Sequence, residues 1–441
     1  MCDMFKLQPK NPYTQKEDAM KKVTEFSQKV KGQETNIVLN KAAWVVGIDI
    51  GQKRLSCVLM NKAQTVLCRF NTEASLNGYE KILEQVKEKT KGRGKVVYAM
   101  EPTGHYWMVL GQFFEDNDQH YVLIHPLVVA RSREVNRLNR SKTDPMDARL
   151  IGELACRGKV TRTQIPKNYW ATLRLLAREY MDREKDCVRE KLRITSYLET
   201  ILPGFLEIFP TPLCLTGRAC LHAFSNFKEA LKGDFSSFEK RVRKHYTGKR
   251  FLVSRARRIY DTLRHTTAIG LRAGRDAMFC RIINSIERLE VYERQQETAE
   301  RALLALYDQC EYKQYLNSIQ GTTSTTNALV LGFIGNPTDY DHPKTLTKLA
   351  GCDPVLNESG KYKGKTSISH RGRNLLRKAS DRTAFLIEKR NIVFRNFFNR
   401  LVTRQKNRLT KRQARVACIN KYFRIIWVLC NHRVLFNPAL A

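Results

Sequence analysis

The pattern of apolar and polar positions is mixed and polar up to about residue 42, then changes character. Trp44-Val-Val-Gly-Ile-Asp-Ile-Gly51 is an apolar run ending on an acid and a glycine, the signature of a buried strand bounded by a turn. Two further strand-like segments, 55–60 and 65–71, predict a three-strand meander. A helix with polar spacing over 75–89, a strand over 95–100 ending at Glu101, a helix from about 105 to 115 and a strand over 120–125 follow. Strands alternating with helices predict an α/β domain. After Pro126 the basic run ARSREVNRLNRSK leads to Thr143-Asp144-Pro145. Either Thr143 or Asp144 can cap a helix there that continues through 148–156, with Pro145 at its first position in the second case.

From about 166 to 310 the spacing is helical. Ile282, Ile286, Leu289, Leu303 and Tyr307 recur at three- and four-residue multiples, interrupted by Glu293, Gln296 and Glu300. An imperfect coiled-coil seam and an ordinary helical bundle explain that pattern equally. A compact unit begins at Tyr315, and its tail over 361–415 holds 18 Lys and Arg against only Asp381 and Glu388. Tyr362, Phe385, Phe394, Phe397 and Phe398 interleave with those cations, which suits a nucleic-acid surface with some of the rings in the core. The expected organisation is an extension over 1–42, with room for one helix, an α/β domain over 43–160, a helical or coiled-coil segment over 161–311, and a mainly α domain over 312–441 with a basic helical tail.

Charge changes the picture most. The 441 residues carry 78 Lys and Arg against 43 Asp and Glu, a formal net charge of +35. That excess points to a polyanionic partner. Twelve Cys are scattered without a CxxC pair, and Cys214 and Cys220 lack partners at zinc-finger spacing, which argues against structural zinc. No run of about 18 apolar residues occurs, and the opening MCDMFKLQPKNPYTQKED lacks the apolar stretch of a secretory signal. The expectation is a cytoplasmic protein with reduced thiols and no membrane partner.

Four acids stand out against this basic background. Asp49 and Glu101 each end a predicted strand, and Asp144 and Asp147 lie three residues apart on one face of a predicted helix. An RNase H-like nuclease fold gathers acidic metal ligands at such element ends, and hard cations such as Mg²⁺ require oxygen donors. Singly, each acid is explained as well by a turn, a salt bridge or a helix N-terminus. The run Gly47-Ile-Asp-Ile-Gly51 also resembles the first phosphate loop of actin-like ATPases and sugar kinases, but the second Asp-Gly-Gly element of those proteins is missing.

The pieces VGIDIG, EPTGHYW and KTDPMDA, in this order and spacing, resemble the RuvC-like DEDD domain of the insertion-sequence transposases of family one-hundred-and-ten, whose relatives include site-specific DNA invertases. The downstream stretch from LNSIQGTTSTTNAL through LAGCDP to NESGKYKGKTSISHRGRNLLRKA resembles that family's second domain. The likeness covers about 43–160 and 312–435. It implies a RuvC-like fold whose acids Asp49, Glu101, Asp144 and Asp147 hold two Mg²⁺ ions. It also implies that Ser359, followed by Gly360, becomes joined to DNA phosphate, although Ser-Gly by itself is explained as well by a common turn. A structured noncoding bridge RNA that pairs with donor and target double-stranded DNA is implied too, leaving the protein to read backbone and shape. Two departures stand out: Gln320-Gly321-Thr322-Thr323 replaces a Pro-Gly-Ile-Gly hairpin, weakening a phosphate-gripping loop, and Glu358 puts a charge before Ser359.

The leading expectation is therefore an RNA-guided transposase or recombinase acting as a homodimer or homotetramer, because strand exchange needs two active sites held together. Its nucleic-acid contacts are expected from Arg131, Arg133, Arg137, Arg140 and Lys142, and from Lys361, Lys363, Lys365, Arg371, Arg373 and Arg377, with the helical middle also gripping nucleic acid and building the multimer. Two alternatives stay open: a hydrolytic nuclease such as a junction resolvase, and a non-catalytic nucleic-acid-binding descendant of a transposase.

Overall fold

The computed structural model describes residues 39–440 except 103, 137–143, 162–167, 209–210, 212, 225–232, 267–272, 356–357, 360–361 and 364–366. The chain divides into two compact units, Met1–Lys167 and Asn168–Ala441.

The first unit is built on a mixed sheet of β1 (Ala42–Ile50), β2 (Arg54–Asn61), β3 (Val66–Glu73), β4 (Lys95–Met100) and β5 (His120–Leu123). Its order is β3-β2-β1-β4-β5, with β1, β2 and β3 antiparallel in sequence and β4 and β5 parallel to β1. The expected meander and the two later strands are all present. Among the described residues, helices α1 (Leu76–Thr90), α2 (Tyr106–Asp116), α3 (Pro126–Asn136) and α4 (Asp144–Cys156) accompany the sheet. Ser75 starts α1 by accepting the Gly78 N–H, which satisfies one of the first-turn donors. The helix after the basic run begins at Asp144, while Thr143 lies outside the described residues.

Both faces of β1 are covered, which is why it reads as a continuous apolar run. Val46 and Ile48 join Tyr79 and Ile82 of α1 and Leu110 and Phe114 of α2 in one core. Val45 joins Ala148, Ile151 and Leu154 of α4 in the other. Side chains alternate along a strand, so Val45, Gly47 and Asp49 share the face that α4 covers.

The second unit is mostly helical. Its spine is the antiparallel pair α5 (Asn168–Ile201) and α9 (Arg275–Tyr307), held from end to end by Tyr169 on the Leu306 carbonyl at 3.1 Å, Arg183 on Gln295 at 3.2 Å and Arg281 on Tyr197 at 2.8 Å. The periodic positions Ile282, Ile286, Leu289, Leu303 and Tyr307 are all fully buried, the first three in one core and the last two in another. The polar interruptions have partners. Glu293 accepts both terminal nitrogens of Arg218 at 2.7 and 2.9 Å, Gln296 meets the Cys187 thiol, and Glu300 accepts from Thr325.

One end of the spine packs with α6 (Leu215–Ala223), α7 (Phe235–His245) and α8 (Val253–Thr266) around Phe205, Phe224, Phe238 and Phe279. The other end joins α10 (Lys313–Asn317), α11 (Ser324–Ile334), α12 (Pro343–Ala350), α13 (Asn374–Arg390), α14 (Ile392–Thr403) and α15 (Lys411–His432) in a larger core. Among the described residues between α12 and α13 lie the two-residue strands β6 (Pro354–Val355), β7 (Glu358–Ser359), β8 (Tyr362–Lys363) and β9 (Ser367–Ile368). Phe394 and Phe398 belong to the core, whereas Phe385 is exposed. No helix among the described residues is long and apolar enough to cross a membrane.

Candidate functional site

Asp49 occupies the next-to-last position of β1, opposite Ser56 of β2. Ile48 pairs in parallel with Met100, the last residue of β4, so Glu101 emerges from the sheet at the level of Asp49. Both acids are partly exposed. The ends of adjacent parallel strands deliver two carboxylates to one edge.

The remaining two acids arrive on α4, whose direction follows from three contacts. The Cys156 thiol approaches the Asn61 carbonyl, and Asn61 pairs with Trp44 at the start of β1. Gly152 faces Met60 and Gly47, and the ideal Cβ position of Gly47 lies 2.1 Å from the Ala148 carbonyl oxygen and 2.5 Å from the Gly152 nitrogen. The C-terminus of α4 therefore lies toward the start of β1 and its first turn toward Asp49. Asp144 and Asp147 are both in that first turn. The glycine at 47 is what allows a helix backbone to lie directly on a strand.

Asp144 is exposed, but Asp147 is only 2% exposed. Its two oxygens are gripped by a single guanidinium: Arg133 Nε donates to Oδ1 at 3.1 Å and Nη2 lies 3.0 Å from Oδ2. This forked geometry is the strong form of the Arg–carboxylate pair, and the helix N-terminus adds a favourable field for the anion. Arg133, expected as a nucleic-acid contact, is thus engaged with Asp147. Among the described residues no group of three or more His, Cys, Asp or Glu is close enough to hold a metal ion.

Ser359 lies on β7, which pairs antiparallel with β8 in the register Ser359↔Tyr362 and Glu358↔Lys363. Gly360 and Lys361, and the side chains of Glu358, Ser359, Tyr362 and Lys363, lie outside the described residues. The hairpin rises from a stem in which Pro354 pairs with Ile368 and Val355 with Ser367. Below the stem, the Ser369 N–H donates to the Asp353 carbonyl at 2.9 Å and its hydroxyl to the Asp353 carboxylate at 2.5 Å. The Arg373 N–H closes the loop on the Leu349 carbonyl at 2.7 Å.

Of the basic residues expected to touch nucleic acid, Arg131 and Arg371 are exposed, while Arg137, Arg140, Lys142, Lys361 and Lys365 lie outside the described residues. Arg377 donates to the Ala350 carbonyl at 2.8 Å, and Arg373 donates to the Phe333 carbonyl. Both therefore satisfy carbonyls at helix C-termini, where cations are favoured. Burial, with the Arg373 guanidinium close by, pushes Arg174 down to about 10. The loop over 320–323 is also self-satisfied: Thr323 and Thr326 form a capping box at the start of α11, and Asn391 donates to the Gln320 carbonyl at 3.0 Å.

Sequence reasoning missed the Arg133–Asp147 clasp, because nothing distinguishes Arg133 from its basic neighbours in the run. It also missed the close helix approach at Gly47, although a glycine inside a strand is a recognised sign of it.

Two transposase family models match the chain. The DEDD transposase model of IS110, described as Transposase, matches residues 46–203, which include Asp49, Glu101, Asp144 and Asp147. The model described as Transposase IS116/IS110/IS902 family matches residues 313–398, which include Ser359. No curated protein matches the chain.

Proposed function

Because the chain belongs to the IS110 family of transposases, we propose that it cuts and rejoins double-stranded DNA, with Asp49, Glu101, Asp144 and Asp147 as ligands for divalent cations and Ser359 as nucleophile. The observation that carries this reading is the delivery of acids from β1, β4 and the first turn of α4 to one end of a single sheet. The sheet order β3-β2-β1-β4-β5, with three antiparallel strands followed by two parallel ones, supports an RNase H-like, RuvC-like identity for the domain over 43–160. The segments 161–311 and 312–441 would then be its helical spacer and serine-bearing domain.

The donor set is all carboxylate, the chemistry that Mg²⁺ accepts. Bound there, the cations would neutralise charge at the scissile phosphate. In the first step the Ser359 hydroxyl oxygen forms a bond to phosphorus and releases its proton, while the bond from phosphorus to the leaving DNA oxygen breaks and that oxygen takes up a proton. A second DNA hydroxyl reverses the exchange, so one phosphate ester is traded for another and no nucleotide hydrolysis is needed. Two strands must be exchanged together, hence a homodimer or homotetramer. Choice of donor and target would fall to a structured bridge RNA, with the excess cationic charge gripping backbone.

Adduct trapping tests the reading. Wild-type protein with Mg²⁺ and cognate DNA should give a denaturation-resistant protein–DNA adduct that Ser359→Ala abolishes. Undiminished cutting by Ser359→Ala would identify a hydrolytic nuclease instead. Unchanged DNA transactions in Asp49→Ala would identify a non-catalytic binder. Sequencing RNA that copurifies with the protein tests guidance.

A further inference from the structure

Residues 204–312 fall between the two family matches, yet this stretch supplies most of a separate hydrophobic core. Its most polar part is the pair α7 and α8. From Phe235 to Arg264 there are ten Lys and Arg against only Glu239 and Asp261. Arg243, Lys244, Arg250, Arg255, Arg257 and Arg258 are all exposed.

The two helices run antiparallel, as their ring contacts require. Phe235 at the start of α7 meets Tyr260 of α8 with ring centroids 5.6 Å apart. At the opposite end of α7, the Arg243 guanidinium lies 4.5 Å from the centre of Phe251, just before α8. Arg257 lies 4.1 Å from the centre of Phe235. Arg243 and Arg257 are therefore stacked on rings at the two ends of one α7–α8 seam. Stacking holds a guanidinium in place without using its edge N–H groups; those of Arg243 meet the Glu239 carboxylate at 2.7 and 2.8 Å. Two nitrogens of Arg241, Nε and Nη2, are buried with no hydrogen-bond partner among the described residues. With ten cations against two carboxylates over 235–264, positive charge is concentrated on this helix pair.

We infer that the exposed side of α7 and α8 is a docking surface for the phosphate backbone of duplex DNA. The aromatic rings decide between duplex and single strand. Phe235 and Phe251 carry the stacked arginines, Phe238 and Tyr260 are buried, and Tyr246 packs edge-on against Phe251 with its hydroxyl bonded to the Arg250 carbonyl. Unpaired bases are gripped chiefly by stacking on open aromatic faces. This surface offers anchored cations instead, which suit the regular phosphates of a helix. The assignment rests on the reading that the chain handles DNA, but not on its chemistry; loss of the adduct in Ser359→Ala would leave it intact.

The test uses full-length protein and a random-sequence duplex of about two to three helical turns, with binding followed by fluorescence anisotropy over a salt series. The triple variant Arg255→Gln/Arg257→Gln/Arg258→Gln should bind at least tenfold more weakly. Its log–log salt slope should be shallower by about 0.9 for each phosphate that is no longer neutralised. The matching triple Lys variant should keep the slope, and a melting temperature equal to wild type for both variants separates weakened binding from a disturbed fold. Unchanged affinity and slope in a folded Gln variant would overturn the proposal. So would a loss confined to an RNA hairpin of equal length, which would make the surface an RNA site.

Discussion

Asp49 is carried by a nine-residue strand paired along its length on both sides, and both faces of that strand are buried. Ser359 is carried by a strand of two residues on a stem of two more. Each arrangement is nevertheless locked by a glycine against backbone: Gly47 against Ala148 and Gly152 in the first unit, Gly372 against Leu349 and Gly351 in the second. The difference lies in what each lock supports. The acid end inherits its precision from long-range ladders and two cores, so disturbing it disturbs the whole domain. The serine hairpin is a local device suspended between α12 and α13, and disturbance there should stay local.

The largest effects come from adding one methyl group to each lock. A Cβ at Gly47 would lie 2.1 Å from the Ala148 carbonyl oxygen, and one at Gly372 would lie 2.3 Å from the Gly351 nitrogen. Neither neighbour is the end of a flexible side chain. Gly47→Ala should force α4 off the sheet, cost about 3 kcal/mol of stability in urea unfolding, and abolish both metal binding and cutting. Gly372→Ala should cost less globally, about 1 kcal/mol, and suppress adduct formation while metal binding persists. Equal stability losses, or loss of metal binding in Gly372→Ala, would break the comparison.

The same contrast explains what was legible in the sequence. Strands β1 to β5 and helices α1, α2 and α4 were readable because buried positions write apolar runs and helical periods into the residues, whereas α3 was hidden in a basic run. Asp49 and Glu101 were readable because strand ends are visible in such runs. Two-residue strands leave no periodic trace, so Ser359 could be singled out only through family resemblance. The Arg133–Asp147 clasp joins α3 to α4 across fourteen residues, and no local pattern selects one arginine from a basic run. Likewise, Phe394 and Phe398 could not be separated from exposed Phe385 by charge density alone.

Arg133→Gln sharpens the account of the acid end with a smaller effect. The change removes the guanidinium fork from a carboxylate that is 2% exposed, and loss of hydrogen bonding to a charged group costs about 1.5–3 kcal/mol. Without divalent ions, the variant should melt below wild type. Added Mg²⁺ should recover more stability in the variant than in wild type, because a bound cation would replace the charge that Arg133 supplies. Arg133→Lys should recover only part of it, since an ammonium cannot reproduce the fork. An equal Mg²⁺ response in all three proteins would make Arg133 a simple staple between helices.

The smallest expected effect tests how locally the serine hairpin is governed. His342 caps α12 by accepting the Lys344 N–H on Nδ1 at 3.0 Å, and α12 leads through Gly351 to β6. Burial first, then the charges of Lys344 and Arg424, lowers the His342 pKa. The folded protein therefore favours the neutral ring, which alone can accept that hydrogen bond. The stabilisation is complete above the ordinary histidine value near 6.5 and fades as pH falls through the lower folded value. His342→Asn should keep the cap and lose this acid sensitivity, with a stability difference of about 1 kcal/mol or less. Below about pH 6.5, wild-type adduct yield should fall relative to His342→Asn, while Mg²⁺ affinity at the acid end changes equally in both. Identical pH profiles for adduct formation would show that the α12 cap does not reach the hairpin stem.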